Sequence, residues 1–196
     1  FGGADPVGFR WVNVILHALA GVLVYHACRR ITRSVVVATL AGIMMVLHPI
    51  HSELINYISS RSDLLVSCFV LGAFVLATRE SGLSARRPGA FLSYTAGLLS
   101  KSVATTLPVL VAAHDLWRSG WSHFRRVDLR RRGMGYAALA VISIAYLVTI
   151  TANRFIGQSL AKAPRGIEEQ VWTQLKGYAF YIWKFSMPVN LAVEPQ

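Results

Sequence analysis

Three stretches of this chain, residues 11–28, 34–52 and 135–153, run without a single Asp, Glu, Lys or Arg, and residues 64–78 do the same over a slightly shorter span. A helix needs about 20 mostly apolar residues to cross the hydrocarbon core of a bilayer, or about 17 at the short limit. A helix on the surface of a water-soluble core would show a charged or polar face at every turn, and these runs do not. Only 15% of the residues are charged, against about 25% in an ordinary soluble domain. The pattern predicts an all-α, polytopic transmembrane helical bundle, a single transmembrane domain over residues 1–196.

The net charge of +11 is concentrated between the apolar runs: Arg29, Arg30 and Arg33; Arg79, Arg86 and Arg87; then Arg118, Arg125, Arg126, Arg130, Arg131 and Arg132. Short basic loops of this kind mark the cytoplasmic side of a membrane protein, which accounts for the charge without a nucleic-acid partner. Cys28 and Cys68 both lie in or beside apolar runs and suggest neither a metal cluster nor a disulfide framework. Residues 1–10 lack the basic start and apolar middle of a signal peptide. Both ends of the chain read as internal to a longer protein.

Charge also sets the threading. The first helix, residues 11–28, ends inside at its arginines. The second, 34–47, runs outward to His48 and Pro49, and the third, 64–78, returns to the loop at 79–87. Residues 51–63 are thereby placed outside. Residues 88–114 are apolar except for Lys101 and would span about 40 Å as one helix. One crossing would put the arginine loop 118–132 outside, against the positive-inside rule. Two short helices meeting near Lys101 restore it, provided the break is shielded by protein or lines a watery cavity. Residues 135–153 run outward again, 154–169 form an external loop, and 171–185, aromatic-rich but interrupted by Lys176 and Lys184, favour the interface. The expected total is six to seven membrane helices, two of them half-helices.

The densest polar cluster falls on the external side: His48, His51, Glu53, Arg61 and Asp63. On a helix continuing from Pro49, Glu53, Tyr57 and Arg61 would share one face at four-residue spacing. A planar guanidinium suits a phosphate, and Glu53 offers a base or, with His51, a metal ligand, so a divalent metal ion stays open. The plainer alternative is an Arg–Glu ion pair, with Ser62 or Asp63 capping the next helix. Lys101 is the second candidate, because a cation between two apolar half-helices is costly and tends to be functional; the alternative is a lysine snorkelling to the interface. His17, His26 and His114 lack metal-ligand spacing and read as helix-packing residues. Asp115 reads as closing a helix in an interfacial ion pair beside Arg118.

Four motifs add a family resemblance. Asp5-Pro6-Val7-Gly8-Phe9-Arg10-Trp11-Val12-Asn13 with Leu16-His17 resembles the P-x-G-F-H-x-x-N-x-x-L-H opening of an early helix in the transmembrane O-mannosyltransferases that carry tetratricopeptide repeats, and in their bacterial relatives. His48-Pro49-Ile50-His51-Ser52-Glu53 followed by Arg61-Ser62-Asp63-Leu64-Leu65 is similar to that family's HP-[IV]-H-x-E … R-x-[DE]-L-L loop. Ser100-Lys101 with Thr106-Leu107-Pro108 resembles its S-K-E … T-L-P segment, except that Ser102 replaces the glutamate. Pro188-Val189-Asn190-Leu191-Ala192-Val193-Glu194 resembles the motif ending its later aromatic helix.

The resemblance implies a GT-C type core in the cell inner (plasma) membrane. Such a core transfers a mannose-like sugar from a polyprenyl-phosphate donor to an extracytoplasmic protein acceptor. It also implies that His48, His51, Glu53, Arg61, Asp63 and Lys101 belong to the substrate-binding site, with the catalytic acids expected upstream of Phe1. The rival expectation is a non-catalytic subunit, a degenerate GT-C fold packed against other membrane subunits and lipids. A transporter is the weaker third option, since an inverted repeat is missing.

Overall fold

The computed structural model of the chain describes residues 6–78, 88–123, 129–152 and 166–187. Every regular element among them is helical: α1 (Pro6–Thr32), α2 (Val35–Leu47), α3 (Ser52–Asn56), α4 (Arg61–Ala77), α5 (Pro88–Ser100), α6 (Leu107–His123), α7 (Leu129–Ala152) and α8 (Ile167–Ser186). Single 3-10 turns at Pro49–His51, Ile58–Ser60 and Ser102–Thr106 link α2 to α3, α3 to α4 and α5 to α6. The chain divides into two compact units, Phe1–Ile144 and Ala145–Gln196. The arginines at 79, 86, 87, 125 and 126 and the motif at 188–194 lie outside the described residues.

In the first unit α1 packs on α2 and α4, and α4 on α5. The turn from α1 to α2 is built by its own residues. Arg29 and Arg30 occupy the last turn of α1, where cations oppose the negative end of the helix dipole. Arg33 takes a left-handed φ of 59° and its N–H donates to the Arg29 carbonyl at 3.1 Å, an αL-type stop. The Arg29 guanidinium donates in turn to the Arg33 carbonyl. Ser34 then caps α2, its hydroxyl accepting from the Val37 N–H at 3.4 Å.

Small residues let α1 and α2 approach closely, as van der Waals packing of membrane helices requires. A Cβ on Gly21 would fall 2.4 Å from Val46 Cγ2, and one on Gly42 3.2 Å from the Gly21 carbonyl oxygen. The α4–α5 seam is similar: Ser93 Oγ donates to the Phe69 carbonyl at 2.8 Å, and a Cβ on Gly97 would meet Ala104 and Phe69 at 3.3 and 3.4 Å. Leu64, Phe74, Tyr94, Leu107 and Leu139 form the buried core.

The outer surface of this unit is the reverse of a soluble protein's. Trp11, Ile15, Leu40 and Leu47 are each more than 60% exposed, a density of apolar side chains that water would not tolerate. Two helical segments, Arg10–Thr32 and Gly133–Ala152, are long and apolar enough to cross a membrane, or three if the bent pair Val35–Leu47 and Pro49–Asn56 forms one span. Helices α4, α5 and α6 are shorter than these spans and α8, though as long, is not apolar enough, so length and composition give two or three spans where charge alone predicts six to seven. The break expected near Lys101 is present: α5 ends at Ser100, Lys101 is extended at φ −163° and ψ 145°, and α6 begins at Leu107.

The second unit holds the end of α7 and α8. Glu168 and Glu169 sit in the first turn of α8 and Lys184 in its last, each sign opposing the helix dipole. The Lys184 ammonium lies over the rings of Trp183 and Phe180, at 5.0 and 5.6 Å.

Candidate functional site

The turns between α2 and α4 are fastened to α1 by one side chain. Asn13 is fully buried, and its amide nitrogen donates to the carbonyls of Leu54, Ile55 and Tyr57 at 3.4, 3.3 and 3.1 Å. One turn further along the same face, His17 Nε2 bonds the Val46 carbonyl at 3.3 Å. The N–H is therefore on Nε2, because a carbonyl can only accept. This holds the C-terminal end of α2 and the following turns against the first half of α1.

Around that anchor three imidazoles gather. The ring of His51 lies 5.7 Å from that of His17 and 6.2 Å from that of His48. His48 caps α2, and its Nδ1 accepts from the Ile50 N–H at 3.3 Å. Burial holds His51 below the ordinary imidazole pKa, and the neighbouring His17 and His48 push it the same way. His51 is therefore neutral at neutral pH, able to donate one hydrogen bond and accept another.

The second group lies where α4 begins and α5 ends. Lys101 forms an ion pair with Asp63, bringing together two segments far apart in sequence. Asp63 sits in the first turn of α4, where a carboxylate is favoured by the helix dipole. Both side chains stay open to solvent, 44% exposed for Lys101 and 40% for Asp63. Arg61 opens α4, and its Nε and Nη2 are shut off from solvent. The backbone of Glu53 lies in α3, but its side chain is outside the described residues.

Several sequence expectations need correction. A shared helical face for Glu53, Tyr57 and Arg61 fails, because α3 ends at Asn56 and Arg61 belongs to α4; the 3-10 turn at Ile58–Ser60 between them breaks the 3.6-residue period. Neither Ser62 nor Asp63 caps α4, since both lie inside it and its N-cap position is Ser60. Asp115 does not close a helix. It is buried within α6, where Tyr136 donates to it at 2.7 Å and His114 Nδ1 lies at 3.4 Å. No group of three or more His, Cys, Asp or Glu fit to hold a metal ion occurs among the described residues.

Asn13 and His17 are the residues that the sequence reading undervalued. Their spacing, i and i+4 on one face of an otherwise lipid-facing helix, was the available signal.

Comparison with known proteins adds an independent line. Residues 1–158 match the family model described as dolichyl-phosphate-mannose-protein mannosyltransferase. The protein O-mannosyl-transferase Tmtc2 of Drosophila melanogaster is 30% identical over 191 residues, covering 91% of this chain and 20% of that protein. The protein O-mannosyl-transferase TMTC3 of Homo sapiens is 34% identical over 79 residues, covering 39% of this chain and 8% of that protein. The human TMTC4 is 30% identical over 137 residues, covering 59% of this chain and 18% of the relative. The chain thus spans a fifth or less of the length of these relatives. No solved structure matches it.

Proposed function

The chain belongs to the dolichyl-phosphate-mannose-protein mannosyltransferase family, and on that premise we propose that it carries the donor-binding end of a membrane protein O-mannosyltransferase. The donor is a mannose-like sugar on a polyprenyl phosphate. The acceptor is a protein hydroxyl on the extracytoplasmic side of the cell inner membrane, the side of residues 51–63, with the arginine loops in the cytoplasm.

The observation that carries this reading is the Lys101–Asp63 pair. It joins the Arg61-Ser62-Asp63 motif to the Ser100-Lys101 motif at one end of the helices, and leaves the ammonium solvent-accessible. In the proposed mechanism the donor phosphate replaces Asp63 as the counter-ion of Lys101, and Arg61, two residues before Asp63, adds a second positive charge. As the bond from sugar to phosphate breaks, negative charge builds on the departing phosphate. Preorganised cations at that position stabilise the transition state more than the ground state. Neutral His51, with His48 beside it, offers a further hydrogen bond from the turns between α2 and α3. The group that deprotonates the acceptor hydroxyl is not in this set.

The same ion pair favours a second reading. A lysine already satisfied by a fixed protein carboxylate suits a non-catalytic subunit, in which Lys101 and Asp63 only staple α5 to α4. Mannose transfer separates the two. The complete protein, reconstituted with polyprenyl-phosphate mannose and an acceptor polypeptide, should glycosylate the acceptor, and Arg61→Gln should abolish the reaction. Transfer that is absent in the wild type under these conditions supports the structural subunit.

A further inference from the structure

A cavity of about 450 Å³ opens between α1, α4 and α6, toward the C-terminal ends of α1 and α4. Its walls are two stripes of helical period. Val24, Ala27 and Ile31 on α1 face Leu110, Ala113 and Trp117 on α6, with Phe74 of α4 beside them. The volume is that of a small-molecule site, but the lining offers almost no hydrogen-bonding surface. His114 also lines the cavity, its ring edge-on against Phe74 at 5.5 Å and its Nε2 shut off from solvent without a hydrogen-bond partner, while Asp115 beside it is held by Tyr136. Such a space accepts a hydrocarbon chain and rejects a polar ligand.

Charge collects where the stripes end. Arg30 follows Ala27 by three residues and Arg118 follows His114 by four, so on each helix the next turn beside the lining face carries an arginine. Arg29 and Arg33 flank them at the same helix end. Among the described residues none of the four makes an ion pair. An apolar cleft between membrane helices, topped by cations at headgroup level, has the recognised form of an anionic-lipid site.

We infer that this cavity binds an anionic glycerophospholipid from the leaflet on the arginine side, with an acyl chain between α1 and α6 and its phosphate at Arg30 and Arg118. The inference does not depend on the sugar-transfer reading, because the cavity uses none of the residues of that site.

The test is native mass spectrometry of the complete protein released from nanodiscs of phosphatidylcholine and phosphatidylglycerol mixed in equal parts. The wild type should retain phosphatidylglycerol in preference to phosphatidylcholine. Arg118→Gln, a change to an exposed side chain, should weaken that retention about fivefold, the contribution of one arginine near an anionic headgroup. Ala27→Trp should fill the cavity and abolish retention. Equal retention of the two lipids by the wild type overturns the proposal. So does unchanged retention in Arg118→Gln, or displacement of the bound lipid by polyprenyl phosphate at low molar excess, which would make the cavity a seat for the donor chain. If Ala27→Trp fails to fold, Cys28→Phe, at a partly exposed lining position, is scored in its place.

Discussion

The Lys101 ammonium donates to Asp63 Oδ1 across 38 positions of sequence, and the two residues meet where α4 begins and α5 ends. Sequence spacing ties neither residue to the other. Packing of α4 on α5 does so, through Ser93 on the Phe69 carbonyl and the glycine at 97 that admits Ala104. Because both partners are well exposed, the pair is a weak contributor to folding, at most about 1 kcal/mol. Asp63→Asn should therefore leave the melting temperature almost unchanged while tightening the binding of a polyprenyl phosphate, since it removes the competing anion from Lys101. Parallel melting and binding titrations read both effects, and a large loss of stability would assign the pair a structural role.

Asn13 makes the opposite prediction. Its buried amide shares two N–H groups among three carbonyls of the turns between α2 and α4, and leaving buried acceptors unpaired costs about 1–3 kcal/mol. Asn13→Leu should lower thermal stability by that order and increase hydrogen exchange in residues 52–60. An exchange pattern indistinguishable from wild type would show that the turns are held by other contacts.

Close approach of α1 and α2 is equally testable. Gly21→Leu would drive a side chain into Val46, and overpacking of this kind typically costs about 1–3 kcal/mol. The expected result is a lower melting temperature in detergent, with most of the loss recovered in Gly21→Leu/Val46→Ala. Failure of the second substitution to recover stability would contradict the packing described.

His51 gives a pH dependence of defined sign. Its pKa in the folded chain lies below the ordinary imidazole value, so the unfolded chain binds more protons in the interval between the two. Stability is then fully present above about pH 6.5, the unfolded value, and is lost as pH falls through the folded value. His51→Gln should flatten the melting profile between pH 7.5 and pH 5. A profile equally steep in the variant would locate the titration elsewhere.

Much of the fold is legible in the sequence because membrane helices announce themselves by uninterrupted apolarity. The charge-free run at 11–28 falls within α1, residues 135–152 of the later run fall within α7, and the break at Lys101 follows from the arginine loops alone. The candidate site was legible as residue types but not as geometry. Residues 48–61 lack a continuous period, so the face drawn through Glu53, Tyr57 and Arg61 did not survive the turns that separate α3 from α4. His17 reads as a packing residue and Asn13 only as part of a family motif, because nothing local marks the carbonyls and imidazoles they meet some 30 to 45 positions away. Asp115 was misplaced because its partner, Tyr136, lies on another helix.

The central claim rests on Lys101, and one paired measurement tests it most directly. Lys101→Met is purified in the complete protein, and binding of a polyprenyl-phosphate sugar is measured together with the melting temperature. Binding should be lost while melting is unchanged, because the ammonium serves the donor phosphate and its exposed pair with Asp63 contributes little to folding. Unchanged binding, or a melting temperature that collapses with binding intact, would contradict it.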